Sequence, residues 1–440
     1  MPPPGSKLPW SDRISHGMAH RLLVLSNGHG EDLIALRVIG ALLEQRPELE
    51  IAVLPLVGEG GAFAAEETAG RLRRIGPRQE LPSGGFSNQS LRGLLSDLAA
   101  GVLGLSWRQW VIVRRWGCSG APVLAVGDLL PLLMAWAAGG PYGFIGTPKS
   151  DFTWASPPPS GWPSSLWDRL ADHYHRCKGS EWDPWEWALM GQRRCRLVAL
   201  RDRLTARGLR RHGVEALAPG NPMMDDFIKS SPPAWLVAPD AGPRILLLPG
   251  SRMPEALGNA LRLLQAIARL ADQRGGPLTG LLSTGSRPSP QELAAVLETA
   301  GFEPDSADGS GSIGAVACWR RGTLRLLIGP GQYSRWAPWA TAGLATAGTA
   351  TEQLVGLGIP ALSIPGPGPQ FKAGFARRQS RLLGGSVLPC HTPAQAAERL
   401  GLLLREPLLR QRLGAIGRAR MGFAGGSARL AGLVAARLLE

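Results

Sequence analysis

The chain has 440 residues, too many for one compact core, so two domains of roughly 200 residues each are expected. With 44% hydrophobic and 19% charged residues it is core-forming, which excludes a wholly disordered or fibrous protein. A formal net charge of +14 favours nucleotides, nucleic acid or an acidic membrane surface as partners, although the excess is almost all Arg and a genome-wide coding bias produces the same.

Residues 1–20, "MPPPGSKLPWSDRISHGMAH", lack an apolar h-region and read as a disordered lead-in rather than a signal peptide. The first strand is expected at Leu22–Ser26, followed by the turn Asn27-Gly28-His29-Gly30 and a helix opening on Glu31 and Asp32. The turn begins like a dinucleotide fingerprint, but Leu33 stands where the third Gly belongs. The two acids would also repel a pyrophosphate at that helix start. The glycines therefore serve to present His29 at a strand's carboxyl end, with Asn27, Gly28, Gly30 and Glu31 as an acceptor-side loop. Further strands are expected at Ile51–Leu54, Pro122–Val126, Tyr142–Ile145 and Leu197–Leu200. Asp128 follows the third of these, either as an N-cap of the helix starting at Leu129 or as a buried carboxylate orienting His29. Residues 129–146 form the one uncharged stretch near membrane-span length. Gly139-Gly140-Pro141 breaks it into a helix and a strand, so a soluble or at most peripheral protein is expected.

Residues 151–170 are rich in Trp and Pro and read as a long surface loop. The wider 151–187 region suits an amphiphilic acceptor, membrane docking or a packed loop. "HYHRC" brings His173, His175 and Cys177 into sequence proximity; alternate spacing and the lack of a fourth ligand favour a polar strand or loop over zinc. The five cysteines are scattered without a CxxC pair, which suits a reducing compartment.

The Pro-rich 229–242 stretch is the expected linker between domains at 21–228 and 243–415, with a final helical piece over 416–440. In the second half, strands are expected at Arg244–Pro249, Leu278–Ser283, Leu324–Ile328, Leu344–Ala347 and Ile359–Ile364. Near-continuous apolar runs alternating with helical patterns predict two doubly wound α/β domains facing each other across a cleft. Two turns there suit a diphosphate. Gly250-Ser251-Arg252 places a guanidinium beside free backbone amides. Gly348-Thr349-Ala350-Thr351 is small and hydroxyl-rich, although Glu352, three after Thr349, also fits a capping box. "GPGPQF" (366–371) adds a loop carrying the amide of Gln370.

"LLPGSR" (247–252), "AGTATEQLVGLGIPALSIP" (347–365) and "APGNPMMDDF" (218–227) together resemble the lipid-A-disaccharide synthase family, inverting glycosyltransferases of the two-domain GT-B fold. "SNGHGED" (26–32) departs from that family's usual first loop and is closer to a synthase-related branch; its His is similar to that of glycosyltransferases making peptidoglycan lipid intermediates and galactolipids. The resemblance implies a UDP-sugar donor in the second domain, a lipid-linked acceptor in the first, and a final helix returning to the first domain. It places Arg252 on the family's important Arg and Asp128 on its essential Asp. Glu352 and Gln353 share the position expected to face the ribose or sugar. His29 and Asp128 could supply the base directly or as a pair. Arg252 and the amides near Thr349 could receive UDP without a metal, in keeping with the lack of an Asp-x-Asp motif. A peripheral location at the inner face of the cytoplasmic membrane follows from a lipid acceptor. The rivals are a UDP-sugar 2-epimerase and a non-catalytic UDP-sugar binder. Nucleic-acid binding is not expected, because the Arg residues are spread out rather than interleaved with aromatics in patches.

Overall fold

The computed structural model describes residues 21–77, 102–228, 230–306, 310–366 and 371–440. The lead-in 1–20 and Gln370 lie outside the described residues, as does the side chain of His29.

Seven strands form the first sheet: β1 (Arg21–Ser26), β2 (Glu50–Pro55), β3 (Arg73–Arg74), β4 (Val123–Gly127), β5 (Tyr142–Gly146), β6 (Cys195–Leu200) and β7 (Ala216–Leu217). Their order is β3-β2-β1-β4-β5-β6-β7, and every neighbouring pair is parallel. The second sheet contains β8 (Arg244–Leu248), β9 (Leu278–Leu282), β10 (Glu303–Asp305), β11 (Ala317–Arg321), β12 (Leu324–Ile328), β13 (Ala342–Ala345), β14 (Ala361–Ser363) and β15 (Val387–Pro389). Its order is β10-β11-β12-β9-β8-β13-β14-β15. All ten expected strands are present. Each buries both faces under helices, which is why its sequence is a plain apolar run. The strands not expected lie at sheet edges or, for β11, next to one. β10, at the edge, and β11, next to it, pair antiparallel with their neighbours and carry Glu303, Arg320 and Arg321, charges that hide the strand pattern.

Each sheet reverses its winding once, between β1 and β4 in the first and between β8 and β13 in the second. Loops leaving the carboxyl ends of strands at such a reversal diverge and open a crevice. The residues after β1, β4, β8 and β13 therefore frame the site: Asn27–Gly30, Asp128, Pro249–Arg252 and Thr346–Thr351.

Apolar clusters fill both faces of both sheets. Leu430, Val434 and Leu438, near the C-terminus, share one with Leu22, Val24 and Val38, so the chain's last helix packs on the His29–Gln45 helix. Two sequence expectations need correction. The "HYHRC" segment is neither strand nor loop: it belongs to a helix, Leu166–Lys178, whose Ser165–Asp168 capping box and C-terminal Gly179 define its ends. The 151–170 stretch is not one open loop either. It contains the turn of helix Phe152–Ala155, and it is seated on the second domain. Trp162 stacks on His391 at 4.0 Å and donates to the Pro389 carbonyl. Arg377 and Arg381 pair with Asp168 and Asp172. Within 229–242, Ala234–Val237 is helical and Leu236 is buried in the second domain's core.

Candidate active site

The first-domain wall starts where β1 ends. Gly28 has φ 112°, a conformation costly for any residue with a Cβ, and it turns the chain directly into the His29–Gln45 helix. Gly127 ends β4 at φ 137°. A Cβ there would stand 3.0 Å from the Asn27 Cβ and 3.4 Å from the Glu31 Cγ. That close approach packs the two loops together and brings Asn27, Glu31 and Asp128 into one cluster. Burial pushes the Glu31 carboxyl up to about 7, with the nearby Asp128 and Asp32 adding to the shift. Backbone N–H donation and the Thr147 hydroxyl, 3.3 Å away, oppose it. Asp32 is buried and accepts from Ser26 Oγ at 2.6 Å. Asp128 caps its helix by accepting from the Leu130 N–H at 3.1 Å. Burial raises its carboxyl too, opposed by that N–H, Lys149 and the Asn27 amide. Asn27 Oδ1 is buried with no hydrogen bond among the described residues.

The second-domain wall is a recess bounded by Gly250, Ser251, Arg252, Thr346, Gly366 and Phe371. Buried Asn259 donates from Nδ2 to the Pro249 carbonyl at 3.0 Å and fixes the loop that carries Arg252. Arg252 is half-buried, and desolvation lowers its guanidinium pKa while Glu255 opposes this. The helix Thr349–Gly356 begins at Gly348 with no side-chain cap. The alternative reading, a Thr349–Glu352 capping box, is thus absent, which keeps the helix start open to an anion. Thr351 is turned inward, its hydroxyl donating to Ala347 O at 2.6 Å, and the Ala350 carbonyl accepts from the Tyr333 hydroxyl.

The walls meet at this helix. A Cβ on Gly30 would lie 3.7 Å from Thr349 Oγ1. Glu352 pairs with Arg201, the first residue after β6, at 2.8 Å, and Arg201 also donates to the Thr147 carbonyl at 3.3 Å. Gln353 donates to the Met223 carbonyl at 2.6 Å. In this structure both residues expected at the ribose or sugar thus make contacts with 21–228. His173 and Cys177 face each other at 3.4 Å, whereas His175 turns to Ser180 and Glu181. No group of three His, Cys, Asp or Glu able to hold a metal occurs among the described residues. Sequence reasoning passed over Thr147, Arg201 and Asn259. For the first two a signal existed: each is the first polar residue after an apolar strand run, the same position that singled out Asp128.

No family model and no curated protein matches the chain. Solved structures do. A co-structure of S. aureus MnaA with UDP has 13% identity and a TM-score of 0.53, over 93% of this chain and 94% of that one. CalG4, the calicheamicin glycosyltransferase, has 15% identity and a TM-score of 0.52, over 95% and 98%. UDP-GlcNAc 2-epimerase from Neisseria meningitidis bound to UDP-GlcNAc has 13% identity and a TM-score of 0.51, over 94% and 99%. The chain has the two-domain GT-B fold. At these identities the likeness extends to the fold and no further. In GT-B terms, the cleft lies between the Asn27–Gly30 and Asp128 loops on one side and the Pro249–Arg252 and Thr346–Thr351 loops on the other.

Proposed function

We propose that the protein is an inverting glycosyltransferase. It moves a sugar of the acylated glucosamine type from UDP to a lipid-linked sugar acceptor, in the manner of lipid-A-disaccharide synthases. The observation that carries this reading is the division of charge across the cleft. The first-domain wall gathers Glu31, Asp32 and Asp128, and the second-domain recess holds Arg252 near an uncapped helix start. Transfer forms a bond from the acceptor hydroxyl oxygen to the anomeric carbon, while the bond from that carbon to the diphosphate breaks on the opposite face. UDP leaves with the electron pair, and the hydroxyl proton passes to a base. Ser251, Arg252 and the amides at Gly348–Ala350 suit the leaving diphosphate. His29, Glu31 and Asp128 suit the proton; Glu31, with a pKa of about 7, is matched to exchange near neutrality. Asn27 Oδ1 is a spare acceptor for a sugar hydroxyl. A lipid-linked acceptor calls for work at the inner face of the cytoplasmic membrane as a peripheral enzyme. No helix among the described residues is long and apolar enough to cross a bilayer.

The GT-B fold also hosts the N. meningitidis epimerase, which keeps sugar-nucleotide epimerisation as the second reading. A panel of UDP-sugars separates the two. UDP release only in the presence of a lipid-linked acceptor supports the transferase. Interconversion of the sugar without acceptor establishes the epimerase, and binding without either reaction leaves a non-catalytic UDP-sugar binder.

A further inference from the structure

Among the described residues the exposed tryptophans are Trp107, Trp136, Trp167 and Trp185. The helices that carry them stand in a row on the first domain. Val102–Cys118 packs on Leu129–Ala138, and Leu129–Ala138 packs on Pro184–Met190. The Leu166–Lys178 helix joins the row at Asp183, which accepts from the Tyr174 hydroxyl at 3.0 Å and pairs with Lys178. On that helix Leu166, Trp167, Leu170 and Tyr174 form an exposed stripe at helical spacing; Trp167 is 79% and Leu166 69% exposed. Asp168 and Asp172 are the positions that dock on the second domain, so the stripe is not needed to seat this helix.

The charge on these helices is one-sided. Asp168, Asp172, Asp183 and Glu186 are each neutralised by an Arg or Lys partner. Exposed Arg108, Arg115, Arg169 and Arg176 on the same helices have no acidic partner among the described residues. A surface with indole rings, Leu side chains and unneutralised guanidinium groups is complementary to the headgroup zone of an anionic bilayer. Trp settles there, and each basic group near the surface adds attraction.

We propose that this row of helices is a membrane-docking surface, with the exposed face of Leu166–Lys178 lying in the headgroup region of an anionic bilayer. The inference refines the lipid-acceptor reading above, and the two can fail separately.

Full-length protein is mixed with phosphatidylglycerol–phosphatidylcholine vesicles or with phosphatidylcholine vesicles alone, and the bound fraction is read by co-sedimentation. Binding should require the anionic lipid and weaken between low and physiological salt. The Trp167→Glu/Leu170→Glu variant should bind on the order of tenfold more weakly, and Arg169→Glu/Arg176→Glu similarly. A Leu408→Glu/Phe423→Glu control, altering exposed apolar residues that are not on these helices, should bind like wild type. Brominated lipids provide a readout on the unaltered surface: they should quench wild-type tryptophan fluorescence, and less so after Trp167→Phe. Undiminished binding of Trp167→Glu/Leu170→Glu would overturn the proposal, as would an absence of quenching. A wild-type dimer that the same variant converts to monomer would assign the surface to a second copy of the chain and overturn it too. UDP affinity measured on the same preparations separates the readings. Vesicle binding without UDP affinity would sink the transferase and leave the docking surface standing; the reverse would sink the docking surface alone.

Discussion

Glu31 is an acid that does not behave as a surface acid. Its folded pKa is raised from 4.5 to about 7, chiefly by burial. Its protonated form therefore favours the fold. The stabilisation is complete below pH 4.5 and is lost as pH rises to about 7, a swing on the order of 3 kcal/mol. Glu31→Gln should flatten the stability–pH curve in that window, as read by urea unfolding from pH 4 to 8; an unchanged curve would show that the carboxyl is solvated. If Glu31 is also the base, kcat/KM should fall below about pH 7 in wild type and lose that limb in Glu31→Gln. Asp128 makes a different prediction because it caps a helix. Asp128→Asn retains an acceptor oxygen, so stability should change by less than about 1 kcal/mol. A catalytic role for Asp128, alone or paired with His29, requires turnover to fall by roughly 100-fold or more in Asp128→Asn and in His29→Ala while UDP still binds. Full turnover in a folded Asp128→Asn protein would reduce Asp128 to a cap.

At the scale of elements, the ten buried strands were legible because a strand covered on both faces must be apolar throughout. The edge strand β10 and its neighbour β11 were not, since the charges they carry break up the apolar run. The Leu166–Lys178 helix was missed because its inward face is made by Asp168 and Asp172 meeting arginines of another domain, so no apolar stripe marked the inward side. The loops after β1, β4, β8 and β13 were identifiable as a candidate site because Gly, Asp and Arg interrupt apolar runs there. The capping-box alternative for Glu352 fails, since Thr349 and Glu352 have that spacing but Glu352 is drawn to Arg201, 151 positions away in sequence. That pair makes its own test. Both side chains are largely buried, so removing one partner leaves an uncompensated charge. Arg201→Met and Glu352→Leu should each destabilise by about 3 kcal/mol, and the double variant by clearly less than the sum. An additive cycle in urea unfolding would mean that the pair is not formed in solution.

For the whole molecule, two similar sheets have been given opposite electrostatic tasks. The first gathers carboxyls whose pKa values burial raises, and the second presents Arg252 near a helix start that no side chain caps. On the proposed function, a diphosphate leaving group is assigned to the second. Calorimetric titration of the full-length protein with UDP tests this assignment most directly, comparing wild type with Arg252→Ala and Arg252→Lys. UDP should bind the wild type, Arg252→Ala should weaken it at least about tenfold, and Arg252→Lys should recover only part of the loss because a point charge replaces a two-pronged donor. No binding of UDP to the wild type, or equal affinity in Arg252→Ala, would contradict the placement of the donor in the second domain.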